Sequence, residues 1–187
     1  MKNFLLFISA MILSIVSFGQ TDLFFSEYVE GGGNNKSLEI YNPTESSINT
    51  SDYQVVRYRN GLTNPNPEPI PDTTIEPYDV LVLTLDKRNP DGTGQDTMVA
   101  VELQNKTDFF LCPVYQVSKA MYFNGNDAMT LEKISNGALV DLIGVIGQDP
   151  GEGWCDNEET FYMTDNWWEA WTADHTMIRK PEIIDGV

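Results

Sequence analysis

Few side chains in this sequence could support catalysis. Its 187 residues include one histidine, His175, and two cysteines, Cys112 and Cys155. A Ser-His-Asp or Cys-His site would have to use His175, and the G-x-S-x-G turn that presents a nucleophilic serine does not occur. Asp174 precedes His175, but adjacency in sequence does not provide the geometry of such a site. We therefore predict that His175 is a structural hydrogen-bonding residue and that the chain has no catalytic residues.

Metal and phosphate motifs are missing as well. Zinc sites are typically marked by C-x-x-C or H-x-x-x-H pairs, and neither occurs. No complete glycine-rich phosphate loop is present. Two oxygen-rich turns, residues 89–96 and 124–127, do not have EF-hand spacing, and turns of this kind usually bind their own backbone. The sequence predicts no cofactor and no dedicated metal site, with weak structural calcium in these turns as the alternative.

Tryptophan is concentrated near the C-terminus. Trp167, Trp168 and Trp171 lie close together in sequence, with Trp154 upstream. An exposed indole can stack on a sugar ring, whereas a buried indole fills the core or closes one end of a β-sandwich. Spacing does not separate the two roles. The three clustered tryptophans are therefore the candidate sugar-stacking residues, and the sequence assigns no other binding residues.

The chain is strongly acidic. It has 28 Asp and Glu residues against 11 Lys and Arg residues, a formal net charge of −17. Proteins that bind phosphate backbones do so through basic patches, and the sequence contains no run of basic residues. Nucleic acid and anionic membrane surfaces are therefore not expected partners. Carboxylates are abundant, but their number alone does not select the pair that a glycosidase requires.

The first 19 residues have the organisation of a secretory signal peptide. Lys2 gives a positive start, residues 4–16 are mostly apolar, and Ser17-Phe18-Gly19 places small residues at the cleavage positions. The apolar run is shorter than the roughly 20 residues that a membrane-spanning helix needs. We predict cleavage after residue 19, no stable membrane insertion, and a secreted or cell-surface domain over residues 20–187. In an oxidising compartment Cys112 and Cys155 could form one disulfide, and two buried thiols are the alternative.

Short apolar runs separated by turn residues predict an all-β domain. No stretch shows a sustained 3.6-residue apolar period, and many short strands between turn clusters favour a sandwich or a barrel. Within 37–41, Leu38 and Ile40 are expected to face one side of a sheet. Residues 60–71 and 150–159 are predicted as long loops. The predicted strands are residues 23–29, 37–41, 53–58, 80–85, 97–103, 128–132 and 139–145.

Three parts of the sequence together resemble a known family. They are residues 23–31 (LFFSEYVEG) with 34–43 (NNKSLEIYNP), residues 123–128 (FNGNDA) with 140–144 (VDLIG), and residues 153–154 with 172–180 (TADHTMIRK). They resemble the bacterial lamin-tail domain family of secreted and surface proteins. The resemblance implies an immunoglobulin-like β-sandwich and a non-catalytic adhesion or targeting role, often beside extracellular hydrolases. Family members usually continue past 181–183 into another strand, so the sequence is either a fragment or lacks a final strand. A missing strand would leave an open sheet edge.

The sequence thus predicts a secreted, non-catalytic binding, adhesion or targeting module whose partner is an extracellular protein or a glycan. One alternative is a carbohydrate-binding module that uses exposed tryptophans. The other is a secreted hydrolase-associated protein with weak or unrecognised enzymatic activity. Saccharide binding and hydrolase assays separate the three.

Overall fold

The first pair of strands follows from the alternation of buried and exposed side chains. The structure is a computed structural model that describes residues 22–155 and 170–186. In β2 (Lys36–Tyr41), Leu38 and Ile40 have no exposed surface, whereas Glu39 between them is partly exposed. The strand pairs antiparallel with β1 (Phe24–Glu30). The turn between them is closed by a hydrogen bond from the Gly31 N–H to the Asn35 carbonyl.

The described strands form two main sheets and one short ribbon. The five-stranded sheet has the order β11 (Thr176–Ile178), β1, β2, β7 (Val80–Leu85) and β8 (Phe109–Leu111). The four-stranded sheet has the order β10 (Leu139–Ile143), β9 (Ala128–Lys133), β4 (Tyr53–Tyr58) and β5 (Pro65–Pro69). The ribbon pairs β3 (Ile48–Asn49) with β6 (Thr74–Ile75). All pairs are antiparallel except β7 with β8.

One hydrophobic core lies between the two sheets. Leu38 and Leu83 of the larger sheet and Val55 and Leu131 of the smaller sheet have no exposed surface and belong to the same cluster. Phe123, on the connection before β9, fills the core from one end and contacts Tyr28 with ring centroids 4.9 Å apart. Burial of these side chains is the main favourable contribution to folding. The all-β sandwich prediction is confirmed.

Two predictions about the connections are wrong. Residues 97–103 do not form a strand: their end belongs to the short helix α1 (Val101–Gln104), and Val99 alone among them is fully buried. A strand packed on a core buries every second side chain, and a segment with one buried side chain lacks this pattern. Residues 60–71 are not entirely a loop, because they contain β5, whose prolines lie at alternate positions. Proline is tolerated there because β5 is an edge strand, which needs no N–H donors on its outer side.

An ion pair joins the two sheets where β1, β10 and β11 meet. Arg179 Nη2 lies 2.7 Å from Asp141 Oδ2, and the same carboxylate oxygen accepts a hydrogen bond from the Phe25 N–H at 2.8 Å. Asp141 belongs to β10 and is fully buried. Residues 181–186 then pass beside β10, since a Cβ on Gly186 would lie 2.3 Å from the Val140 carbonyl oxygen. Within residues 170–186 the structure places no strand after β11.

The predicted signal peptide, residues 1–19, lies outside the described residues. Among the residues that the structure does describe, no helix combines the length and apolar character needed to cross a membrane.

Candidate functional site

A groove of about 490 Å³ runs beside edge strand β11. Its walls come from β1, from β11 and from the end of β10, so both sheets contribute to it. The lining is largely apolar with a few charged or polar groups at its margins, a composition typical of binding sites. The apolar side chains include Phe25, Ile143, Trp171, Met177 and Ile178, and the polar ones include Glu27, His175 and Arg179.

The position of β11 at the sheet edge explains why apolar side chains are exposed here. Ile178 is 73% exposed although it lies in a strand, and Trp171, shortly before the strand, is 51% exposed. The Met177 side chain lies on the other face of β11 from Ile178, where it packs against the core at the inner wall of the groove. The sequence indicated a strand-like segment at 176–178, but the exposure of Ile178 depends on the strand order. That residue and Ile143 were therefore not predicted as site residues.

The backbone of β11 keeps hydrogen-bonding groups on its outer side. The His175 carbonyl accepts from the Glu30 N–H at 3.0 Å, and the Arg179 N–H donates to the Ser26 carbonyl at 2.8 Å. Backbone groups alternate in direction along an antiparallel strand, so those of Thr176 and Ile178 point away from β1. Among the described residues β11 has no strand neighbour other than β1. The groove thus lies beside an open row of donors and acceptors.

The tryptophan predictions divide into three outcomes. Trp171 lies in the groove with half its surface exposed. Trp154 is buried, and its indole Nε1–H donates to the Asp127 carbonyl at 2.9 Å, so this side chain is structural. Trp167 and Trp168 lie outside the described residues.

The polar groups of the groove are held by local contacts. The Arg179 guanidinium donates to the Phe25 carbonyl in addition to pairing with Asp141. Glu27 faces Glu39 across the β1–β2 ladder. Partial burial, reinforced by the Glu39 charge, raises the pKa of Glu27 above its usual value. These contacts hold the Arg179 side chain in place, and the groove is lined by one negative and one positive side chain, Glu27 and Arg179.

His175 makes one local hydrogen bond at the groove, and its structural role stays a prediction. Its ring is exposed at the groove, and its Nδ1–H donates to the Ala173 carbonyl at 2.5 Å. A carbonyl can only accept, so this contact fixes the tautomer with the proton on Nδ1. The contact is made to the backbone, and no nucleophile or carboxylate of the described residues is hydrogen-bonded to the ring.

The two oxygen-rich turns bind their own backbone and neighbouring cations. Asn89 Oδ1 accepts from the Asp91 N–H, and Asp127 Oδ2 accepts from the Asn124 N–H. Asp96 pairs with Lys87. In residues 22–155 and 170–186, no group of three or more His, Cys, Asp or Glu side chains is arranged to hold a metal ion. These hydrogen bonds and the ion pair account for the oxygen-rich composition of the two turns.

The predicted disulfide is not present in the structure. Cys112 and Cys155 are both thiols. Cys112 is fully buried, and its Sγ lies 3.0 Å from Ser118 Oγ, whereas Cys155 directly follows the anchored Trp154. Burial raises the pKa of the Cys112 thiol above its usual value. A buried thiol of raised pKa is a poor nucleophile, so Cys112 is a core residue.

We expect thiol titration to show this difference in environment. Without reductant, the native protein should react with an aromatic disulfide reagent mainly at Cys155, and Cys112 should react only when the protein is unfolded in denaturant. The Cys112→Ser and Cys155→Ser variants assign the two phases. Detection of no thiols in denaturant would instead establish the disulfide.

Comparison with known proteins identifies the family. A family model described as Lamin Tail Domain matches residues 17–147, which is more than half of the chain. The comparison with curated proteins returns no match. The matched region contains β1 to β10 and ends before Trp154, so the resemblance noted at 153–154 and 172–180 stays a prediction. Lamin tail domains are immunoglobulin-like domains not known as catalytic, which confirms the predicted immunoglobulin-like fold class. The chain belongs to the lamin tail domain family.

Proposed function

We propose that this protein is an exported, non-catalytic binding domain and that the groove beside β11 is its binding surface. The signal-peptide organisation of residues 1–19 supports export to the cell surface or the medium. Membership of a family not known as catalytic supports a binding role. The observation that carries the proposal is the apolar groove on an open sheet edge, with Ile178 and Trp171 exposed.

The partner that fits this groove best is an extended segment of an extracellular protein. An extended peptide can add a strand to a sheet edge, with main-chain hydrogen bonds supplying affinity and side-chain pockets supplying specificity. β11 offers outward backbone groups at Thr176 and Ile178, and the groove beside it offers apolar contact. Soluble proteins rarely leave contiguous apolar surface exposed without a use for it.

We expect substitution in the groove to abolish peptide capture. A library of random peptides is selected against the intact chain, and the enriched peptides are titrated against variants by fluorescence anisotropy. Ile178→Lys should weaken binding at least about tenfold, because it places a charge where an apolar side chain docks. Val101→Lys, an equivalent change at an exposed valine of α1, is the matched control and should bind normally. Failure to enrich any peptide, or equal binding by both variants, contradicts the proposal.

A saccharide ligand is the second candidate, and Trp171 is the observation that favours it. Its half-exposed indole lies in the groove beside Glu27 and His175, which could bond sugar hydroxyls. Quenching or shifting of tryptophan fluorescence by members of a neutral glycan panel, lost in Trp171→Ala, would support this reading. No response across the panel would exclude it.

A further inference from the structure

Half of the described basic side chains of this acidic protein lie around one cleft. Of the eleven Lys and Arg residues, Lys2 lies outside the described residues, which leaves ten. Five of these ten surround a second cleft of about 350 Å³, away from the β11 groove. Lys36, Arg57 and Arg59 line it, while Lys87 and Lys119 lie over the rings of two lining residues, Tyr122 and Tyr115. These cations are scattered in sequence, so no linear basic motif predicted the cluster.

Two of the five cations have no carboxylate partner. Arg59, which is exposed, and Lys119, which is partly exposed, form no ion pair among the described residues. The other three are matched: Lys36 by Glu30, Arg57 by Asp127 and Lys87 by Asp96. Asp174 is a further negative charge near Lys36. Among the residues that the structure describes, no carboxylate lines the cleft.

Several polar groups of the cleft also have unused hydrogen-bonding capacity. Arg57 is buried, with 6% of its surface exposed. Its Nε donates to Asp127, and its Nη1 makes a long contact of 3.4 Å to the Lys119 carbonyl. Its Nη2 has no hydrogen-bond partner among the described residues. The Tyr122 hydroxyl is enclosed, with the Lys87 ammonium as its charged neighbour. The side-chain amides of Asn60 and Asn124 make no hydrogen bond within the described part of the chain.

We propose that this cleft binds a saccharide that carries a single acidic group. Arg57, Arg59 and Lys119 supply charge-assisted donors for an oxyanion, either a uronate carboxylate or a sulfate ester. The asparagine amides match the mixed donors and acceptors of sugar hydroxyls, and Tyr115 offers an aromatic face. A cleft of this volume suits a small ligand. A net charge of −17 repels long polyanions, which favours one acidic group rather than many.

Titration calorimetry with three related disaccharides tests the ligand class. The probes are cellobiouronic acid, cellobiose 6-sulfate and neutral cellobiose, with inorganic sulfate, a single-stranded oligonucleotide and a short peptide carboxylate for comparison. At least one acidic disaccharide should bind, and cellobiose should not. Equal binding of cellobiose, tighter binding of the oligonucleotide or the peptide, or binding of sulfate alone would overturn the proposal. So would an absence of binding by both acidic sugars.

Substitutions locate the site. Arg59→Ala and Lys119→Ala remove cations that have no ion-pair partner among the described residues. Both variants should therefore fold normally, and each should weaken binding by roughly five- to tenfold. Lys106→Ala removes the same charge from an exposed site outside the cleft and should leave affinity unchanged. An equal loss in Lys106→Ala would show a general charge effect and contradict the assignment. Peptide capture at the β11 groove should survive Arg59→Ala, which keeps the two sites distinguishable.

Discussion

Asp127→Ala should destabilise the protein by about 3–5 kcal/mol, the range observed when one partner of a buried ion pair is removed. The Asp127 side chain is fully buried and lies 2.7 Å from Arg57 Nε. It also accepts hydrogen bonds from the N–H groups of Asn60 and Asn124, which fixes the turn before β9. Burial raises the pKa of the Asp127 carboxyl despite these donors, so the pair has a desolvation cost of its own. Chemical denaturation gives the free energy of unfolding.

A double-mutant cycle separates the ion pair from the turn. Arg57→Met alone leaves the Asp127 charge buried, while the double variant Arg57→Met/Asp127→Ala leaves no unpaired charge. The double variant should therefore lose clearly less stability than the sum of the two single losses. Asp91→Ala removes an exposed aspartate that forms no ion pair within the described part of the chain, and it should change stability by about 0.5 kcal/mol or less. Additive effects, or an Asp127→Ala cost no larger than that of Asp91→Ala, would contradict this account.

Gly144→Ala should cost about 2–5 kcal/mol, from backbone strain together with overpacking. Gly144 directly follows β10 and has φ +86°, where a side chain is strained. A Cβ at this position would lie 2.5 Å from Trp154 Cε2, a ring that is itself held by the Asp127 carbonyl. The glycine therefore permits the indole to pack directly against the backbone. Thermal and chemical unfolding of the variant measure the loss.

Gly137→Ala is the matched control for this substitution. Gly137 also has a positive φ, +68°, but a Cβ there would meet no atom within 4 Å. Its replacement should cost only the strain of the left-handed backbone, about 1–2 kcal/mol. The difference between the two variants is then the effect of crowding Trp154. Equal losses of stability in the two variants would show that the Trp154 indole moves aside at no cost in free energy, which would contradict this account.

The strands could be predicted wherever sequence pattern and burial coincide. Residues 53–58 and 80–85 were predicted with the bounds that the structure gives to β4 and β7. Leu38 and Ile40 were correctly placed on one face, because a period of two is a local property of the chain. β5 was missed because its prolines read as loop residues, and only its position at the edge of the sheet makes them acceptable. Residues 97–103 looked like a strand, but the larger sheet pairs β7 with β8 instead.

The proposed binding surfaces were less predictable because they depend on strand order. Trp171 was a candidate from its residue type, and it does lie in the groove. Ile143 and Ile178 are far apart in sequence. They line the same groove because they belong to β10 and β11, which are edge strands of the two sheets. The basic cleft has the same origin, since Lys36, Arg57 and Lys119 lie in separate parts of the chain. Composition predicted the acidic surface but not the cationic cleft within it.

Residue-resolved amide hydrogen exchange of the intact chain, with and without a library-selected peptide, tests the central claim most directly. The claim is that the open edge of β11 binds an extended polypeptide. The amides of Met177 and Arg179, which face β1, should already be protected, and those of Thr176 and Ile178 should exchange rapidly in the unliganded protein. Peptide binding should slow exchange at Thr176 and Ile178. Protection confined to another surface, or unchanged exchange at these two amides when the peptide is bound, would contradict the account.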